Sequence, residues 1–157
     1  MSYLSIMIQK ESLNDFSSIK ELNEIPEGSE SLIFENLFSH LNKDFLIITR
    51  DLKRFQQIKD TMEFFLKSDT LFFPQWDCVP YDRISPNKTI TSSRLETLST
   101  LANKKRDRKI VLSTIQSACQ RTLPINEIKN KSINLKPGQV INVDELLLFF
   151  KIGRAHV

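Results

Sequence analysis

The stretch FLIITRDLKRFQQIKDTMEFFLKSDTLFF, residues 45–73, carries two periodicities in one run. FLIIT (45–49) is apolar without interruption, as expected of a short strand buried on both faces. Asp51 then stands at an N-cap position. Leu52, Phe55, Ile58, Met62 and Phe65 follow at spacings of three and four and mark one helical face. TLFF (70–73) is a second strand. Strand, helix and strand in alternation, with strands of the buried type, predict an α/β layered domain. Its sheet is expected to be mostly parallel, with helices flanking it and right-handed crossovers.

Working outward, the pattern repeats. TITSSRLETLSTLANKK (89–105) places Ile90, Leu95, Leu98 and Leu101 on a helical face. KIVLS (109–113) is a third strand, and TIQSACQRTL (114–123) a helix that stops before Pro124. On the N-terminal side, SESLIFENLFSHLN (29–42) has Leu32, Ile33, Leu37 and Leu41 at helical spacing, with Ser29 or Ser31 as N-cap. A turn, PEG (26–28), precedes it. ESLNDFSSIKELNE (11–24) reads as a further short amphipathic helix through Leu13, Phe16, Ile19 and Leu22.

Beyond Pro124 the texture changes. A polar lead-in, a strand SINLK (132–136), a turn at Pro137–Gly138 and a helix capped near Asp144 read as the start of a second α+β unit. That unit is too short to close a core, so the run LLLFF (146–150) is expected to stand exposed. The last residues resemble something else again. IGRAHV (152–157) can be encoded by ATC GGA AGA GCA CAC GTC, a string similar to a common short-read sequencing adapter. Lys151 to Val157, with Arg154 and His156, are therefore expected to be a processing scar outside the fold. The expected organisation is 1–124, 125–150 and 151–157.

Composition excludes several classes. With 157 residues, 40% hydrophobic and 26% charged, the chain is of globular type and can bury a core. Its net charge of +3 is spread along the chain, a weak argument for nucleic acid. Only 3 residues are glycine, where about 7% is average, which argues against glycine-rich phosphate loops. Cys78 and Cys119 lie far apart and outside any CxxC, as in a protein of the reducing cytoplasm. The N-terminus lacks a signal peptide's pattern, and no apolar run approaches the ~18 residues of a membrane span.

Chemistry is sparse. EGSESL (27–32) occupies the turn before a helix where a phosphate loop would sit. It has one glycine, Gly28, and Ser31 stands near where a lysine is wanted, so Gly28, Ser29 and Ser31 form at most a degenerate loop. His40 has no second ligand at metal spacing and reads as a helix-end histidine. Asp77 and Asp82 lack a histidine or nucleophile beside them and read as turn acceptors. KKRDRK (104–109) is a charge run before a strand, a solvated loop or a phosphate contact. No nucleophile–base pair is present, so no catalytic residue, metal or cofactor is expected in this chain.

Between the second strand and the next helix lies FFPQWDCVPYDRISP (72–86), with three prolines and the only tryptophan. Trp76 and Tyr81 are rigid anchors whose N–H and O–H need partners. Pro80 and Pro86 push the residues before them toward extended geometry. Asp82 can tie the loop by accepting backbone N–H groups, and Arg94 on the following helix can pair with Asp82 or Asp77. Trp76, Pro80, Tyr81, Asp82, Ser85 and Pro86, followed by Arg94, Leu95, Thr97 and Leu98, make a W-x-x-x-PYD-x-x-SP segment ahead of an RL-x-TL helix. This resembles the N-terminal module of the bacterial transcription-repair coupling factor family (Mfd). The resemblance runs on through KIVLSTIQSACQRTLP and INLKPGQVINVDELLLFF, over roughly residues 28–150. It implies a domain similar to domain 1a of the excision-repair helicase UvrB, with a degenerate P-loop, followed by the beginning of a UvrA-interaction domain. It also implies a large ATP-driven translocase on double-stranded DNA that releases stalled RNA polymerase and recruits UvrA. ATP and Mg would belong to a motor beyond residue 150, leaving this stretch a non-catalytic scaffold. The alternative is a piece of a UvrB-type P-loop helicase that binds nucleotide.

Overall fold

A computed structural model describes residues 25–66, 70–79, 83, 85–103, 107–133 and 135–152, excepting the side chains of Lys151 and Ile152. The helix expected at 11–24, the segment 104–106 of the charge run, and Pro80, Tyr81 and Asp82 lie outside the described residues, as do Arg154 and His156. In chain order the elements are α1 (Glu30–His40), β1 (Phe45–Thr49), α2 (Leu52–Phe65), β2 (Thr70–Phe73), α3 (Lys88–Ala102), β3 (Ile110–Thr114), α4 (Ile115–Ala118), α5 (Ile125–Asn130) and α6 (Val143–Ile152).

The three strands form one sheet in the order β1-β3-β2, parallel throughout. Phe45 pairs with Ile110 and Thr49 with Thr114 across β1 and β3; Thr70 pairs with Ile110 and Phe73 with Ser113 across β2 and β3. The α/β fold expected from the alternation is therefore observed. Two helices carry the β1-to-β2 and β2-to-β3 crossovers, as parallel neighbours require.

Side chains alternate across the sheet, so this register sorts them by face. Phe45, Ile47, Ile110, Leu112 and Phe72 share one face. They pack with Phe38 and Phe34 of α1 and with Phe55, Ile58 and Met62 of α2 into the main core. Met62, Ile110 and Leu112 are fully buried. Asp51 caps α2 as expected: its Oδ1 accepts the Arg54 N–H at 2.7 Å. The opposite face carries Leu46 and Ile48 of β1, Val111 and Ser113 of β3, and Leu71 and Phe73 of β2. There α3 covers β2, whose Leu71 and Phe73 are buried, whereas Leu46 is 62% and Ile48 46% exposed. The expectation that FLIIT is buried on both faces fails for this reason: β1 ends the sheet, and no described element lies over its second face.

Several local expectations are corrected. Ser29 holds the N-cap position of α1, but its hydroxyl donates to Pro26 O at 2.6 Å instead of capping. Ser31 lies inside the helix, fully buried, 2.6 Å from Thr61 Oγ1. SINLK is not a strand at its described positions, because no strand of the sheet stands beside it to complete a ladder. Helix α4 is a single turn instead of a run to residue 123, and an unforeseen helix, α5, follows Pro124 and lies against α3. Asn142, not Asp144, caps α6, its Oδ1 accepting from Asp144 N at 3.1 Å. Leu147, Leu148 and Phe150 of α6 are exposed, as the sequence suggested.

Candidate functional site

The turn before α1 is the place where the sequence offered a degenerate phosphate loop. Gly28 takes φ +88, a conformation that L side chains rarely adopt, which fits the turn to glycine. Free N–H groups at such a helix start would attract an anion. Here the anion is the chain's own: Gly28 N donates to Glu30 Oε2 at 2.9 Å. Glu30 is buried, and its other oxygen accepts from Arg54 Nη2 of α2. Arg54 Nη1 also lies 3.5 Å from Glu27 Oε1. Ser31, at the position wanting a lysine, is locked to Thr61, whose hydroxyl also donates to Ile58 O at 2.9 Å. Two carboxylates and one committed arginine therefore surround this turn.

The richer constellation lies where β2 and β3 end. Arg94 of α3 is only 4% exposed. Its Nη1 donates to Pro74 O at 2.6 Å and to Ser117 Oγ at 3.0 Å, and Nη2 donates to Gln120 Oε1 at 3.0 Å. The guanidinium also stacks over Phe73 at 3.9 Å and over Trp76 at 4.4 Å. Desolvation by burial lowers its pKa from the usual arginine value, while leaving it a cation near neutrality. The hydrogen bonds offset that cost, and each stacked ring adds about 0.5–2 kcal/mol. One charge thus ties α3, the end of β2 and the α4 turn together. Asp77 is not its partner: both Asp77 oxygens lie 3.2 Å from Asn87 N, so Asp77 is a turn acceptor ahead of α3. Asn87 in turn caps α3 through Thr89 N at 2.9 Å.

Neighbouring hydroxyls complete the arrangement. Ser93 Oγ and Thr97 Oγ1 both donate to Phe72 O at 2.8 Å. Phe72 and Pro74 are two residues apart, so alternation turns both carbonyls away from β3, toward the sheet edge. Ser93, Arg94 and Thr97 thereby cover the edge of β2. The sequence reading missed Ser93, Ser117 and Gln120, and it put Leu95 on the inner face. Leu95 is 55% exposed, and the buried stripe runs through Arg94 and Thr97 instead. The available signal was the polar run SSR at the position where an inner helical face should be apolar.

The remaining candidates are architectural. Ser85 is exposed and Pro86 half-buried. His40 Nδ1 lies 2.8 Å from Asn36 O at the end of α1. In the charge run, Arg108 is more than a solvated residue. It donates to Phe38 O at 2.6 Å and Leu41 O at 2.7 Å, binding carbonyls at the C-terminal end of α1. Among the described residues no group of three His, Cys, Asp or Glu side chains comes together as a metal site would need. None of the described helices is long and apolar enough to cross a membrane.

No family model matches the chain. Curated proteins do. A transcription-repair-coupling factor of Rickettsia bellii is 29% identical over 126 residues, covering 79% of this chain and 11% of the relative. That of Haemophilus influenzae is 26% identical over 129 residues, 82% of this chain and 11% of the relative. The Escherichia coli protein is 27% identical over 101 residues, 64% of this chain and 9% of the relative. The likeness suggested by the Trp76 loop and the helix of Arg94 agrees with these matches: the chain is similar to transcription-repair-coupling factors over 64–82% of its length, and it spans about a tenth of the length of those it matches.

Proposed function

We propose that this chain is the N-terminal, non-catalytic scaffold and interaction module of a factor that couples transcription to nucleotide excision repair in the cytoplasm. Residues 1–124 would form a domain similar to UvrB domain 1a, residues 125–150 the beginning of a UvrA-interaction domain, and 151–157 a sequencing scar. The full protein would move along double-stranded DNA at the expense of ATP, release stalled RNA polymerase and recruit UvrA. The motor, its ATP and Mg, and most partner contacts would belong to parts beyond this chain.

The observation that supports the non-catalytic role is the turn before α1. A nucleotide phosphate needs free N–H groups and a cation there. Instead Glu30 accepts the Gly28 N–H and holds Arg54, and Ser31 faces Thr61. A phosphate would have to displace one carboxylate and lie beside a second, Glu27. Calorimetric titration of the chain with Mg–ATP tests this. No saturable binding is expected up to millimolar nucleotide. Micromolar affinity would overturn the scaffold reading and favour a nucleotide-binding helicase of the UvrB type.

A further inference from the structure

We propose that Cys78 and Cys119 are a redox-responsive pair, two thiols that a peroxide converts to a disulfide joining the Trp76 loop to α4. They are the only 2 cysteines of the chain and stand 41 positions apart in sequence. The fold brings both to the lining of one open cavity, which Trp76, Val79, Gln116 and Gln120 also line. Both thiols are free; Cys78 is half-buried and Cys119 exposed, so a small oxidant reaches each.

The topology explains why they meet. β2 and β3 are hydrogen-bonded parallel neighbours with Phe73 opposite Ser113. Adjacent strands lie about 4.8 Å apart, so their exit loops leave the sheet side by side. Cys78 follows Phe73 by five residues, and Cys119 follows Thr114 by five. Arg94 then pins both exits with one guanidinium, bonding Pro74 O on one side and Ser117 Oγ and Gln120 Oε1 on the other. It also lies 4.4 Å from the Trp76 ring. Cys78 is thus two residues from one held group, and Cys119 is next to another. A disulfide requires Cα atoms within about 7 Å, and the shared anchor limits how far the two loops can part.

The chemistry balances with one peroxide. The thiolate sulfur of one cysteine attacks the O–O bond, forming a sulfenic acid; the departing hydroxide takes up a proton as water. The second thiol's sulfur attacks the sulfenic sulfur, the S–O bond breaks, and a second water leaves. Two thiols and one peroxide become a disulfide and two waters, with two electrons passing from sulfur to oxygen. A dithiol reductant reverses the change, so in a reducing compartment the bond would form only transiently. While it lasts, it fastens the loop to α4 covalently, alongside the Arg94 bonds.

Dilute 157-residue chain treated with equimolar hydrogen peroxide, blocked with iodoacetamide and weighed intact tests the proposal. The expected product is a monomer that has lost two hydrogens and takes no alkyl group, and dithiothreitol restores both alkylation sites. Peptide mapping should join the peptide of Cys78 to that of Cys119. The same reaction in concentrated urea should be about tenfold slower or more, because the fold supplies the proximity. Equal rates in the two conditions, separate sulfinic acids, or disulfide found only between molecules would overturn the proposal. Cys78→Ser and Cys119→Ser should each leave a single alkylatable thiol and no loss of hydrogens.

Discussion

Leu46 and Leu71 flank the same residue, Val111, from opposite sides of the sheet. They share a face and a residue type, yet Leu46 is 62% exposed and Leu71 8%. The next layer repeats the contrast: Ile48 and Phe73 flank Ser113, one 46% exposed and the other buried. The difference is the edge, not the strand. On the β2 side, α3 lies over the face and turns Ser93, Arg94 and Thr97 toward the edge carbonyls of Phe72 and Pro74. Pro74 has no N–H to leave unpaired there, a device expected of edge strands. On the β1 side no described element does either job. A parallel sheet is normally covered on both faces, so β1 is the side on which this sheet is incomplete among the described residues.

A matched pair of substitutions tests the contrast most strongly. Leu71→Lys would bury an ammonium beneath α3, and is expected to cost about 3–5 kcal/mol and to unfold much of the chain. Leu46→Lys, across the same Val111, should change stability by no more than about 0.5 kcal/mol and should lower self-association. Urea melts read the first quantity, and sedimentation at rising concentration the second. Comparable destabilisation by both would mean that the β1 face is covered in solution, and the contrast would disappear.

Next in size is the latch that closes the β2 edge. Arg94→Ala removes three hydrogen bonds and two ring contacts, leaving Pro74 O and Ser117 Oγ without that donor. A loss of about 2–4 kcal/mol is expected. Arg94→Lys keeps the charge but not the planar fork, and should recover less than half of the loss. Trp76 fluorescence should move to longer wavelength in both variants as the loop opens to water. Full stability in the lysine variant would show that charge, and not fork geometry, holds the edge.

How much of this was legible in the sequence differs by element. FLIIT, TLFF and KIVLS read as strands to within a residue, because an uninterrupted apolar run is a local property. Whether anything covers the second face of FLIIT is decided elsewhere in the chain, so the exposure of Leu46 and Ile48 was not readable from the run itself. SINLK failed for the related reason that a strand needs a neighbour. Arg94 was singled out through a motif, yet its burial was not foreseen. Helical periodicity scored by hydrophobicity rejects an arginine from the inner face, although carbonyls, a hydroxyl and two rings can together solvate one. The turn before α1 was legible as a poor phosphate loop from its missing lysine. That Glu30 takes the anion's place became visible only when the chain bent Arg54 back to it.

The smallest effect separates the two helices that leave the sheet edges. α2 departs from β1 under the cap of Asp51, and α3 follows β2 under the cap of Asn87. The Arg54 N–H, and then the nearby Arg50 and Lys53 charges, hold the Asp51 carboxyl below its ordinary 3.8, against a smaller opposing effect of desolvation. A carboxyl depressed in the folded state contributes stability that is fully present above its unfolded value. That stability is lost as pH falls through the folded value. Asn87 has no proton to gain. Acidification below about pH 4 should therefore shift the Arg54 amide resonance as its acceptor is protonated, while the Thr89 amide keeps its amide-oxygen acceptor and follows no Asn87 titration. Asp51→Asn should abolish the Arg54 titration while leaving the helix capped, since asparagine caps about as well as aspartate. An Arg54 amide that titrates unchanged in that variant would remove Asp51 as the cause and take away the acid sensitivity assigned to the β1 side.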